Sequence, residues 1–179
     1  MRVITGKARG IQLKTPQGML TRPTADRVKE ALFSIIRFDV ANARVLDLFG
    51  GTGQLGIEAL SQGAAQAVFV DAREEACALI RENLKRTRLS EQGSVVRCDY
   101  LDYLNRCREK FDIIFLDPPY AEVFLETALK RIAEIDILHS GGIIVTERPL
   151  AEFPGYTRSK DYKYGKTLLA IYRKEDGTL

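Results

Sequence analysis

Five short apolar runs punctuate the middle of the chain: Val45-Leu-Asp-Leu48, Ala67-Val-Phe-Val70, Ser94-Val-Val-Arg97, Asp112-Ile-Ile-Phe-Leu116 and Gly142-Ile-Ile-Val-Thr146. They are rich in β-branched residues and nearly continuous rather than alternating, the pattern of strands buried on both faces of a parallel sheet. Between them, apolar positions recur at helical spacing. Leu55, Ala59 and Leu60 form one stripe, Ala76, Leu79, Ile80, Asn83 and Leu84 a second, and Phe124, Leu125, Ala128, Leu129 and Ile132 a third. Strand alternates with helix, which predicts a doubly wound α/β fold. The rhythm changes at both ends. Tyr156 to Tyr164 and Thr167 to Arg173 predict an antiparallel hairpin around the Gly165-Lys166 turn, closing the sheet. At the front, Arg2-Val-Ile-Thr and Gly10-Ile-Gln-Leu-Lys14 predict a small basic hairpin. A loop with Pro16, Gly18 and Pro23 follows, then a helix with the apolar stripe Val28, Ala31, Leu32, Ile35 and Ile36. Thr24, directly after Pro23, is its expected N-cap.

Composition narrows the class. Hydrophobic residues make up 45% of the 179 and charged residues 28%, a balance that suits one soluble domain with a real core. The cysteines Cys77, Cys98 and Cys107 are odd in number and form no C-x-x-C pair, against a disulfide framework or a zinc site. With His139 as the sole histidine, no His-based metal cluster is expected, and His139 itself is expected at a surface turn. The opening residues lack a signal-peptide apolar run and no stretch is long enough to cross a bilayer, so a cytoplasmic protein is expected. The charge is unevenly spread. Residues 1–37 carry eight Lys/Arg against Asp26 and Glu30, and residues 156–174 carry six against Asp161, while the centre is acidic. If the two basic ends meet on one face, they offer a positive surface to a phosphate backbone; a solvated surface of mixed charge explains the count equally well.

Gly51-Thr-Gly53-Gln-Leu-Gly56 follows the first strand and satisfies G-x-G-x-x-G, and Asp71 stands at the end of the next strand. That spacing also fits a nicotinamide oxidoreductase. In either reading, glycines let the backbone approach a ligand and the carboxylate accepts ribose hydroxyls. Asp47 separates the two. A carboxylate at the end of the first strand would repel a pyrophosphate but suits the ammonium and sulfonium of S-adenosylmethionine. Asp99, just past the run at 94–97, is placed to accept from an adenine amine, and also to cap a helix at 100–107. A bare strand-to-helix turn does not explain three glycines among Gly50 to Gly53.

Asp117-Pro118-Pro119-Tyr120 follows the run ending at Leu116. Two prolines fix two φ angles and remove two N–H donors, so the segment presents carbonyls rigidly. An exocyclic base amine has two hydrogens to donate, one to the Asp117 carboxylate and one to the Pro118 carbonyl. Its lone pair is then directed at a methyl donor, and in-line transfer needs positioning more than an activated nucleophile. Asp117 stabilises positive charge growing on the nitrogen, and Tyr120 offers a ring on which a flipped base can stack. A proline-stiffened turn before the helix from 122 would explain the prolines, but not Asp and Tyr at the two ends.

With these motifs in hand, the chain resembles the bacterial methyltransferases that modify guanine N2 in small-subunit ribosomal RNA. The likeness spans nearly the whole length: Arg2 to Gly6 with Arg9, Gly10 and Leu13; Arg22-Pro-Thr-Ala-Asp-Arg27 through Phe33; Asp47 to Leu60; Asp117 to Tyr120; and Tyr164 to Thr167 with Leu169 and Tyr172. The cofactor loop and the catalytic quartet are shared by many amino-methyltransferases, and the Arg22 to Phe33 block carries the family. Gly50 and Gln54 depart mildly from that family's pattern.

The resemblance implies a Rossmann-like class I S-adenosylmethionine-dependent methyltransferase sheet at 38–179, with residues 1–37 as an RNA-contacting extension. It implies a cofactor held by Asp47, Phe49, Gly50, Gly51, Gly53, Asp71, Ala72, Asp99 and Tyr100, and catalysis by Asp117, Pro118, Pro119 and Tyr120. It places Arg22, Thr24 and Arg27 near the mouth of the site as RNA contacts, although surface charges and a simple cap would also explain them. Arg9, Lys163 and Lys166 are further candidates for phosphate contacts, which a solvated face explains nearly as well, and no metal is expected. The partner would be ribosomal RNA or a small-subunit assembly particle, bound by a monomer. Glu58 and Glu147 are expected to be structural. A DNA adenine or cytosine amino-methyltransferase is the alternative within the class, although the chain is short for a separate sequence-reading domain. A protein-glutamine methyltransferase would carry Asn in place of Asp117, and a non-catalytic RNA-binding module leaves the quartet unexplained.

Overall fold

Each of the five central apolar runs is a strand. A computed structural model describes residues 1–16, 23–117, 122–147, 155–158, 161–164 and 167–175, the side chains of 23–25 and 122–123 excepted. The elements are α1 (Pro23–Ile35), α2 (Arg37–Val40), β1 (Arg44–Asp47), α3 (Gln54–Ser61), β2 (Gln66–Asp71), α4 (Glu74–Thr87), β3 (Gly93–Arg97), α5 (Tyr100–Arg106), β4 (Phe111–Leu116), α6 (Glu122–Ile135), β5 (Leu138–Thr146), β6 (Tyr156–Arg158), β7 (Tyr162–Tyr164) and β8 (Thr167–Lys174). The sheet order is β3-β2-β1-β4-β5-β8-β6, with β7 also on β8. The first five strands pair in parallel, and β8 runs antiparallel to β5.

Successive strand residues point to opposite faces, so each strand feeds two cores. On one face Val45, Phe69, Ile113, Phe115 and Ile143 pack with α1, α3 and α4; on the other Leu46, Val70, Ile114, Leu116 and Ile144 pack with α5 and α6. This is why the runs read as continuous apolar stretches. Fully burying one such side chain contributes about 1.5–3 kcal/mol. Val3, Ala8 and Leu13 belong to the first core, together with the stripe of α1, and Tyr162 and Tyr164 of β7 pack against it. The N-terminal basic segment thus packs on the first face, whereas the C-terminal strands feed both faces, with Tyr156, Ala170 and Tyr172 in the second core.

Several expectations are corrected. The strand expected over 156–164 is two short strands, β6 and β7, both antiparallel to β8. Arg158 faces Tyr172 while Tyr162 faces Leu169, so the β6–β7 side carries one extra residue and the ladder breaks there. The Gly165-Lys166 turn lies outside the described residues. β5 begins at Leu138 rather than 142: Phe111 faces Leu138 but Ile113 faces Ile143, and the polar run His139-Ser-Gly141 bulges between them. His139 thus lies in a strand rather than a turn, with Nδ1 at 2.9 Å from Asp112 Oδ1. The front hairpin is a single bridge, Arg2 to Gln12, because much of its backbone is bonded instead by side chains of α3 and α4. Helix α1 starts at Pro23, so Thr24 lies within its first turn and not at the N-cap; proline suits the first helical position, where its missing N–H costs nothing. The single-turn helix α2 has no counterpart in the apolar pattern.

Candidate active site

Strand β1 is the point where the sheet order reverses. The chain leaves β1 toward β2 and β3, then crosses to β4 on the other side. Helices diverge there, leaving a crevice beyond the carboxyl ends of the strands, where α/β sheets bind ligands. A cavity of about 670 Å³ occupies this position, within the range of small-molecule sites. Asp47 ends β1, Asp71 ends β2, Asp99 follows β3 and Asp117 follows β4; all four line the cavity. Phe49, Gly50, Gly51, Ala72 and Tyr100 line it too. Gly53 is not a lining residue. It stands at the N-cap of α3 with φ 78°, and Gly51 has φ 56°, left-handed values that glycine adopts without strain.

The carboxylates differ in environment. Asp47 is buried and accepts the Gly56 N–H at 3.2 Å. Burial outweighs that bond, and the neighbouring Asp117 and Asp71 charges add to it, so its carboxyl is pushed up to about 8. Asp71 takes the opposite course. Burial acts to raise it, but hydrogen bonds from the Arg73 side chain and from the backbone N–H groups of Arg73 and Gly51 together hold it below the usual carboxylate range. Asp99 caps α5 by accepting from Leu101 N at 2.8 Å, as its position suggested, while still lining the cavity.

One wall is aromatic: the Phe49 and Tyr100 rings lie 5.2 Å apart, and Phe124 meets Tyr100 edge-on at 5.8 Å. Phe124 was legible only as one member of the α6 stripe. Its exposure of 43% sets it apart from Leu125 and Ala128 in that helix. Met1, Pro16, Leu79 and Cys98 are further lining residues that sequence reasoning did not place at the site. For Met1 and Pro16 no local signal exists, since they reach the cavity only through the return of the N-terminal segment over the fold. Gln54 also lines the cavity, and its buried Oε1 has no hydrogen-bond partner among the described residues.

Pro118, Pro119, Tyr120, Arg22 and Lys166 lie outside the described residues, as does the side chain of Thr24. Arg9, Arg27 and Lys163 are exposed and do not line the cavity. Glu58, expected to be structural, is fully buried against Lys29. No group of residues suited to a metal ion occurs among the described residues, and none of their helices is long and apolar enough to cross a membrane.

The chain matches the family described as conserved hypothetical protein 95 over residues 1–173. A Bacillus subtilis protein named provisionally as the rRNA methyltransferase YlbH is 41% identical, the match covering 97% of this chain and 99% of that one. The ribosomal RNA small subunit methyltransferase D of Haemophilus influenzae is 32% identical, over 97% and 93%. A solved Escherichia coli structure, described provisionally as the methyltransferase yhhF, superposes with a TM-score of 0.88 at 29% identity, covering 98% of each chain. The sheet order and the likeness together give the Rossmann-like fold of the S-adenosylmethionine-dependent methyltransferases. The chain belongs to the conserved hypothetical protein 95 family, that of the ribosomal RNA small subunit methyltransferase D proteins.

Proposed function

We infer that this protein transfers a methyl group from S-adenosylmethionine to the exocyclic N2 amine of a guanine in small-subunit ribosomal RNA. One observation carries the reading: four carboxylates from the ends of four adjacent parallel strands line a single cavity at the switch point of the sheet. An acidic crevice of this kind disfavours a pyrophosphate and suits a cationic cofactor. The buried, unpartnered Gln54 Oε1 adds an acceptor that fits an ammonium group. Asp47 and the loop from Phe49 to Gly53 would hold the amino-acid end. Asp71 would accept from the ribose, and Asp99, Ala72 and Tyr100 would take the adenine. When bound, the cofactor supplies an activated methyl on its sulfonium.

Asp117 has two tasks. It accepts one amine hydrogen of the target base, fixing the nitrogen in line, and it stabilises the positive charge that grows there. Pro118, Pro119 and Tyr120 follow in the sequence as the carbonyl and stacking face the reaction needs. Residues 1–37 form the RNA-contacting extension and 38–179 the methyltransferase domain. Arg9, Arg22, Thr24, Arg27, Lys163 and Lys166 approach the RNA. The substrate is ribosomal RNA, free or within an assembling small-subunit particle. All four carboxylates come from one chain, so a monomer suffices, acting in the cytoplasm. Neither the DNA reading nor the nicotinamide reading draws support from the relatives.

Replacing Asp117 with Ala should lower methyl transfer at least a hundredfold, in line with the loss of one transition-state-stabilising group. Binding of S-adenosylhomocysteine, measured by calorimetry, should change less than about threefold. Full turnover in Asp117→Ala would overturn the assignment of Asp117.

A further inference from the structure

Asn83 lies in the apolar stripe of α4 and is fully buried, yet it is polar. Its side-chain amide makes three hydrogen bonds. Oδ1 accepts from Lys14 N at 2.8 Å, and Nδ2 donates to Lys14 O at 3.0 Å and to Thr52 O at 2.9 Å. The first two mimic a rung of β-ladder; the third reaches the glycine loop. One side chain therefore ties the N-terminal segment to the loop that forms the floor of the cavity.

That segment, residues 1–16, behaves as a strap. Its two ends, Met1 and Pro16, both line the cavity. Between them it is held mainly by side chains of other elements. Glu58 accepts from Ile4 N and Thr5 N, both at 2.9 Å; Ser61 Oγ accepts from Ala8 N and donates to Thr5 O; Lys29 Nζ donates to Arg2 O. Thr52, whose carbonyl Asn83 holds, also donates its hydroxyl to Met1 Sδ at 3.4 Å. Strap and loop thus touch twice, at Met1 directly and at Lys14 through Asn83.

We propose that Asn83 is a positioning residue that couples the strap to the cofactor loop, so that a docked strap sets the affinity of the cavity for S-adenosylmethionine. Buried polar groups left without partners are costly. If the strap lifts at Lys14, the Asn83 amide loses two of its three bonds and its hold on Thr52 loosens. Conversely, a ligand that orders the glycine loop tightens the strap, because linkage is reciprocal. The inference rests on the cofactor assignment above but not on the identity of the RNA.

The test is calorimetric binding of S-adenosylhomocysteine to the wild type, Asn83→Leu and Gly6→Ala, with hydrogen exchange on the strap amides. Leu is of similar size and keeps the helix while removing all three bonds. In Asn83→Leu the affinity should fall about tenfold, the equivalent of one net buried hydrogen bond, with binding stoichiometry unchanged. A residue that served only folding would reduce the stoichiometry and leave the affinity alone. In the wild type the analogue should slow exchange at Ile4, Thr5 and Lys14; in Asn83→Leu, at saturation, it should slow only the glycine loop. Gly6→Ala works from the middle of the strap, where it meets α3. A Cβ there would sit 1.9 Å from the Ser61 carbonyl oxygen, lifting the strap without touching Asn83 or the cavity, and should lower affinity in the same direction. Unchanged affinity in Asn83→Leu, or strap protection equal to wild type, overturns the coupling while the cofactor assignment stands. Failure of the wild type to bind the analogue overturns both.

Discussion

Asp47 is the residue whose environment states most about what the cavity holds. A carboxyl buried beside two others is best left protonated when nothing cationic is near, and its position near 8 expresses that. The folded pKa lies above the ordinary 3.8, so between about pH 4 and 8 the folded protein binds a proton that the unfolded chain does not. Stability of the cofactor-free protein should therefore fall as pH rises through that window, by up to ~1.4 kcal/mol per unit from this group. An ammonium placed beside Asp47 reverses the preference. Binding of S-adenosylhomocysteine should expel the proton below about pH 8, and affinity should climb with pH up to that point and then level. Calorimetry in buffers of different ionisation heat measures the proton release directly. Asp47→Asn should lose the component of the slope that belongs to this group. An identical slope in both proteins would show that the carboxylate does not face the cation. That such a residue ends β1 was legible in the sequence, since Asp47 interrupts an otherwise apolar run. Its displaced pKa was not, because it arises first from the burial of the strand end in the fold and then from Asp117 and Asp71 arriving on neighbouring strands.

At the level of elements, the placement of the carboxylates depends on how closely α3 lies on β2. Gly56 faces the ring of Phe69; a Cβ at residue 56 would stand 2.3 Å from Cε1 and 2.7 Å from Cζ. Two effects oppose each other in Gly56→Ala. Helix propensity favours Ala by about 1 kcal/mol, whereas forcing a methyl against a buried ring costs typically ~1–3 kcal/mol. Phe69 is fully buried in the first core, so the ring cannot swing clear and the clash should win. Denaturant unfolding should show a net loss of about 1–2 kcal/mol; a gain of about 1 kcal/mol would mean that α3 can rise off the sheet freely. The third glycine of the motif is thus a packing residue, set against the Phe69 ring rather than the ligand. The strands and helices themselves were readable because two-faced burial leaves continuous apolar runs and helical stripes. The break between β6 and β7 depends on a single extra residue, and the early start of β5 on a bulge of polar residues. Neither leaves a periodic trace.

For the whole molecule, the return of the N-terminal segment is the feature least visible in the sequence and most consequential for the site. Asn83 and Lys14 are 69 positions apart, and Glu58 and Ile4 are 54 apart; no local pattern announces side-chain bonds to a distant backbone. The fold packs the N-terminal basic segment on the first core, while the basic C-terminal strands form one end of the sheet and feed both cores. Positive charge on these two segments would draw in a phosphate backbone from a distance, and the acidic cavity at the carboxyl edge would keep that backbone out while admitting a cationic cofactor and a flipped base. The division of labour between basic surface and acidic crevice is the central claim. It is tested most directly by transfer of labelled methyl from S-adenosylmethionine to small-subunit ribosomal RNA lacking its own modifications, offered naked and as an assembled particle, followed by nucleoside analysis. Label recovered in N2-methylguanosine is the predicted result, with the better substrate identifying the assembly state that is read. Label in any other amino-methylated base, or none from a protein that binds the cofactor, would contradict the account.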